Sequence, residues 1–156
     1  MAKIYKFILI SCLSILFFNL STGLCQSNYI KKYRPLADSL SIEFKIPSNV
    51  ILAIAIVESS SGQSRNCKLL NNHFGIVGKN NVLKTHGVKT RYKQYANDKA
   101  SFIDFAKMIS RKKYYQKFKG NTNSSDWIDV MSNHGYSEFP EIWRKKIKET
   151  IKKNKL

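Results

Sequence analysis

The sequence predicts a predominantly helical α+β fold built as one domain, and three observations carry that expectation. The chain has 156 residues, room for one core and little more. Its apolar residues recur every three to four positions in several separate segments, the spacing of one helix face. Between those segments, residues 71–90 are rich in Asn, Gly, Lys and Thr and read as a loop with room for a small β-hairpin. Composition narrows the class further. Lys+Arg number 27 against 10 Asp+Glu, a net charge of +17, yet 43% of residues are hydrophobic, too many for a disordered polycation. Three cysteines are too few for a disulfide-dense scaffold or a four-cysteine metal site.

Residues 1–25 read as a secretory signal peptide, leaving a mature domain over 26–156. Lys3 and Lys6 flank the start of an apolar run over residues 7–20. A run of about 14 residues is shorter than the roughly 20 that a membrane-spanning helix needs. The small residues Ser21, Thr22 and Gly23 follow, so cleavage is expected after Gly23 or after Cys25. The product is expected to be periplasmic or extracellular and monomeric, with Cys67 as its one remaining thiol. Outside the cytoplasm, strong positive charge points to an anionic cell-envelope surface rather than to nucleic acid.

The first mature helix is expected over residues 35–46, with Pro35 in its first turn and Leu36, Leu40 and Phe44 on its apolar face. Pro47 stops it, and Ser48 or Asn49 is expected to cap the next helix. Residues 50–57 are apolar without a break. Periodicity does not separate strand from helix in such a run, but the cap and two interior alanines favour helix. Ser59-Ser60-Ser61-Gly62 ends it. Beyond the loop, Asn97 caps a helix over 98–110 with Phe102, Phe105, Ala106 and Ile109 as its stripe. Asp126 opens a short helix that Gly135 closes, and a last helix runs from 140 to about 153 with Trp143, Ile147 and Ile151 aligned.

The chemistry concentrates at Glu58. Most other carboxylates sit on polar helix faces or at helix starts, as Asp98 and Asp126 do. Glu58 follows eight apolar residues directly, so a buried helix delivers its carboxyl to the edge of the core beside a small-residue turn. Burial penalises the charged form and raises the pKa. A carboxyl still protonated near neutral pH can donate a proton to a leaving oxygen. The plain alternative is a helix-end carboxylate in solvent or paired with a lysine. His73, His86 and His134 lack metal-ligand spacing, and no nucleotide-binding glycine loop is present, so neither a metal nor another cofactor is expected.

Ile46-Pro47, the apolar run, Glu58-Ser59, Asn71-Asn72-His73-Phe74-Gly75-Ile76 and Gly135-Tyr136 occur here in order and at a characteristic spacing. This set resembles the glucosaminidase domain of bacterial cell-wall hydrolases, glycoside hydrolase family 73, from about Tyr29 to the C-terminus. The resemblance implies a lysozyme-like fold, with the hairpin beside its cleft, cleaving the β-1,4 bond after N-acetylglucosamine in peptidoglycan glycan strands. It places Glu58 on the general acid and Asn72, Phe74 and Gly75 on the segment that lines the sugar cleft. Tyr136 falls on the aromatic of the family's GYATDP motif, a tyrosine that assists catalysis. Core packing is the competing reading for Phe74.

The sequence departs from the family pattern in one respect. Many members carry a second acid in the hairpin, whereas no Asp or Glu lies between Cys67 and Asn97 here. Glycosidases commonly use two carboxylates. Three routes remain open: the substrate's own acetamido oxygen, oriented by Tyr136; another acid such as Glu138 or Asp98; or a single acid, as in lytic transglycosylases. A non-catalytic wall-binding protein is the rival from another class. The basic run Arg111 to Lys119 and the lysines of the last helix either attract an anionic wall polymer or are simply solvated faces.

Overall fold

Seven consecutive residues, Val50 to Ile56, are buried in the centre of the molecule, and the other helices are arranged around them. The computed structural model describes residues 25–156; the expected signal segment lies outside the described residues except for Cys25. Eight helices form over the described residues: α1 (25–44), α2 (Ser48–Ser59), α3 (Arg65–Leu70), α4 (Val82–His86), α5 (Asp98–Ser110), α6 (Tyr115–Phe118), α7 (Ser124–Asn133) and α8 (Pro140–Asn154). None of them is long and apolar enough to cross a membrane.

Helix α1 is already formed at residue 25, the first described residue and ten before the expected start, and it carries Pro35 in its interior rather than its first turn. The reason is packing. Tyr29 and Tyr33 extend the stripe of Ala37 and Leu40 backwards at helical spacing, and all four are buried. Their burial outweighs the hydrogen bond that proline removes. The helix ends at Phe44, where Lys45 turns left-handed (φ 52). The Tyr115 hydroxyl donates to the freed Phe44 carbonyl at 2.7 Å.

Helix α2 confirms the helical reading of the apolar run, and a helix apolar on all sides is a buried one. Its expected side-chain cap is not made. Pro47 occupies the cap position, its carbonyl accepting from the Val50 and Ile51 amides, while Asn49 accepts from Arg34 at 3.0 Å. Helices α5, α7 and α8 lie close to their expected bounds. The Asn97 and Asn123 side chains cap α5 and α7, the latter beginning two residues before Asp126. Helix α8 packs against both α2 and α7 through Trp143 and Ile147.

The expected hairpin is reduced to one antiparallel bridge, Val77 with Tyr92, and α4 fills its tip. Backbone bonds from the Lys93 amide to the Ile76 carbonyl (2.8 Å) and from the Gly78 amide to the Arg91 carbonyl (3.0 Å) join the two segments, and asparagine side chains reinforce them. Asn72 donates to the Ile76 and Lys93 carbonyls, and Asn80 to those of Thr90 and Tyr92. In the basic run, Tyr114 and Tyr115 face the core while Arg111, Lys112 and Lys113 stay in solvent, so its aromatics are spent on packing.

Candidate active site

Glu58 lies in the last turn of α2, where the buried helix reaches the surface. Directly after it the chain reverses through three left-handed residues, Ser60 (φ 51), Ser61 (φ 54) and Gly62 (φ 79). Two of these are not glycine, a conformation that costs of order 1–2 kcal/mol each. Ser59 holds the turn: its hydroxyl donates to the Ala55 carbonyl at 2.6 Å and accepts from the Gly62 amide at 2.8 Å.

The Glu58 carboxyl is half-buried and has one strong partner, the indole N–H of Trp143, at 2.8 Å from Oε1. Burial pushes its pKa above the usual carboxylate range, while the Trp143 hydrogen bond and the nearby Lys146 charge pull back. Trp143 and Lys146 lie three residues apart on α8, one face of one helix. In the sequence Trp143 belongs to an apolar stripe, and no spacing rule signals that its N–H reaches a residue 85 positions away.

Glu58 opens into a cleft of about 520 Å³. One wall is the residual hairpin, from Phe74 to Val77 with Arg91 and Tyr92; Met108, Lys112 and the loop from Gly135 to Phe139 complete it. Gly75 gives the wall the left-handed turn it makes beside the acid. Its φ is 65, and a Cβ there would stand 3.7 Å from Glu58 Oε2. Phe74 both lines the cleft and belongs to the core, stacked on Phe105 at 4.1 Å.

Tyr136 follows left-handed Gly135 (φ 73), which turns the chain back after α7, and its ring packs on Trp143 at 4.8 Å. The ring is partly exposed to the cleft, but the hydroxyl is buried and has no hydrogen-bond partner among the described residues. Burial, then the neighbouring charge of Glu58, drives its pKa well above the ordinary tyrosine value. It therefore stays a neutral hydroxyl, a donor without an acceptor, beside the acid.

Two expected site residues are placed elsewhere. Asn72 does not line the cleft; it is 2% exposed, and its amide is consumed by the Ile76 and Lys93 carbonyls and the Phe74 and Ile76 amides. Its contribution is to shape the segment that carries Phe74 and Gly75. Asp98 also lies away from the cleft lining. It accepts from the Tyr33 hydroxyl at 2.6 Å and Lys32 at 3.1 Å, and pairs with His73 at 3.1 Å. Burial alone would raise its carboxyl, but these hydrogen bonds prevail and bring it down to about 2. An acid so committed is not available as a second catalytic group.

Glu138 does line the cleft, 78% exposed, with Arg91 at 3.6 Å. Cys67 lies 3.5 Å from the His73 ring, but burial pushes the thiol up to about 11 and leaves it unreactive. Among the described residues no three His, Cys, Asp or Glu side chains gather as a metal site.

Residues 34–156 match the family described as mannosyl-glycoprotein endo-beta-N-acetylglucosaminidase. Among solved structures, the catalytic domain of the autolysin Auto from Listeria monocytogenes is similar at TM-score 0.68 and 22% identity, over 84% of this chain and 85% of that one. A C-terminally truncated glycoside hydrolase domain of FlgJ from Salmonella typhimurium gives TM-score 0.67 and 19% identity, over 83% and 97%. A chain of a type VI secretion effector–immunity complex from Pseudomonas protegens gives 0.60 and 15%, over 81% and 91%. These likenesses establish the shared lysozyme-like fold. No curated protein matches the sequence significantly.

Proposed function

Because the chain belongs to the mannosyl-glycoprotein endo-beta-N-acetylglucosaminidase family, and so is a glycoside hydrolase with a glucosaminidase domain of the peptidoglycan-hydrolase type, we propose that it cleaves the β-1,4 bond after N-acetylglucosamine with Glu58 as general acid. The observation that carries this reading is the half-buried Glu58 carboxyl at the cleft, with a raised pKa, beside the unpartnered Tyr136 hydroxyl.

Protonated Glu58 gives its proton to the glycosidic oxygen as the bond to the anomeric carbon breaks. The acetamido oxygen of the same sugar attacks that carbon from the opposite face, so no hairpin carboxylate is needed. Tyr136 presents its partly exposed ring on the cleft wall, against which the acetamido group is oriented. Glu58, now a carboxylate, takes a proton from the water that opens the cyclic intermediate, and the acid is restored. Tyr92 and Phe139 offer flat apolar faces for sugar rings along the cleft.

A second reading places Glu138, the other cleft carboxylate, as the group that activates water. Muropeptides digested by wild type, Glu58→Gln and Glu138→Gln, read by mass spectrometry, decide between these. Substrate assistance requires about 10²–10⁴-fold loss for Glu58→Gln and a loss under about tenfold for Glu138→Gln, with reducing N-acetylglucosamine ends. Anhydro-muramic ends would mark a lytic transglycosylase instead. No cleavage by wild type would leave a wall-binding protein. The proposal includes export with cleavage near residue 25, a monomeric periplasmic or extracellular product, and attraction of its basic surface to the anionic envelope.

A further inference from the structure

Four charged side chains line the cleft, and they differ in what they are free to do. Glu58 is held by Trp143. Glu138 and Arg91 face each other with a single contact of 3.6 Å, 78% and 67% exposed. Lys112, just past the end of α5, has no acidic partner within ion-pair distance among the described residues. With Glu58 protonated for catalysis, two cations stand against one carboxylate, so the cleft is positive where the glycan lies.

We propose that Arg91 and Lys112 read carboxylates on the substrate, so that the enzyme selects carboxylate-bearing amino-sugar polymers over neutral ones of the same β-1,4 backbone. The inference rests on the glycosidase reading and assigns the residues that set its selectivity. Arg91 is suited to the task. Its guanidinium lies 5.8 Å from the Tyr92 ring centroid, beside an aromatic available to a sugar. Its backbone is fixed by the Gly78 amide, which donates to the Arg91 carbonyl at 3.0 Å. The contact with Glu138 is long, one-pronged and exposed, a pair that contributes little. A substrate carboxylate presents two oxygens to the guanidinium fork and displaces Glu138 readily. Lys112 supplies a second point charge. The carboxylate has two sources in peptidoglycan: the lactyl group of an unsubstituted muramic residue, or the stem peptide attached to it.

The test compares three substrates of one backbone: neutral N-acetylglucosamine oligomers, strands stripped of peptides, and strands bearing intact stems. Arg91→Gln and Lys112→Gln are each expected to lower the ratio of kcat/KM for carboxylated over neutral glycan about tenfold, through KM. Glu138→Gln, which frees Arg91, is expected to raise the ratio. High salt is expected to shrink the wild-type ratio and leave that of the double variant unmoved. Loss confined to stripped strands assigns the lactyl carboxylate; loss confined to intact strands assigns the stem. An unchanged ratio in the double variant, folded by circular dichroism, overturns the proposal. The same ratios, read as Kd by calorimetry on the Glu58→Gln protein, decide the matter even if wild type turns over no glycan, an outcome that sinks the glycosidase reading alone.

Discussion

Replacing Trp143 by Phe tests how the acid is tuned. The ring is largely retained, including its contact with Tyr136 at 4.8 Å, but the N–H that Glu58 Oε1 accepts at 2.8 Å is lost. A hydrogen bond to a charged group contributes about 1.5–3 kcal/mol, and one pKa unit corresponds to about 1.4 kcal/mol. An upper bound is therefore about 1–2 units. Water reaches the half-buried carboxyl and replaces part of the bond, so about one unit is the working figure. The sign follows from which form is favoured. The indole stabilises the carboxylate and holds the pKa down, so its removal raises a pKa that burial has already raised. Glu58 acts while protonated, so the basic limb of the kcat/KM profile should move up by about one pH unit. The plateau should fall as the acid loses its positioning. A pH series on soluble muropeptides, with thermal melts to confirm folding, measures both. A basic limb that stays in place or moves to lower pH would refute the claim that Trp143 sets the acid.

Two further predictions concern the frame of the site. Asn72→Ala strips four backbone groups of their partners, one in a buried bond and three in partly buried ones. At about 1–3 kcal/mol for each group left unsatisfied, a stability loss of roughly 3 kcal/mol or more is expected in denaturant unfolding, together with loss of activity. Acidification should act on the His73–Asp98 pair in two stages. Burial lowers the folded-state pKa of His73, so the stability of its neutral form is present above about pH 6.5 and declines as pH falls below that. The folded-state pKa of Asp98 is about 2 against an ordinary 3.8, so its contribution is present above 3.8 and lost as pH falls towards 2. Screening at a carboxylate 33% exposed leaves this second stage of order 1 kcal/mol. Melting temperature against pH should fall in both windows, and Asp98→Asn should flatten the lower one.

The helical frame was legible because its signals are local. The caps at Asn97 and the turn glycine at Gly135 follow from short-range chemistry, and α5 and α8 show clean apolar stripes. The part of α1 before Pro35 is not legible, because proline is a strong local signal for a helix start; Tyr29 and Tyr33 carry the helix through it by packing onto distant partners such as Phe102, 5.0 Å from Tyr33. The short helices α3, α4 and α6 have no periodicity to display in six residues or fewer. At the site the same division holds. An ionisable residue ending an apolar run marks Glu58 without any tertiary knowledge. The capture of Asp98 by Tyr33, His73 and Lys32 depends on contacts between segments tens of residues apart, and the inward commitment of Asn72 combines local bonds to Phe74 and Ile76 with a distant one to Lys93.

The placement of the acid has a consequence for how the fold and the chemistry are coupled. Helix α2 supplies Glu58 and, by its own burial, the desolvation that raises its pKa; helix α8 supplies Trp143 and Lys146, which oppose that rise. The strength of the acid is thus a balance struck across one helix–helix interface, the same interface that buries Ile147 against the core. A change that loosens α8 removes the hydrogen bond and admits water together. The first effect raises the pKa and the second lowers it, so the two partly cancel in the pH profile while the positioning of the carboxyl is lost outright. Damage at this interface should therefore appear first as a fall in kcat, with the pH optimum nearly unmoved. Trp143→Phe, which removes the bond and keeps the packing, should separate the two effects.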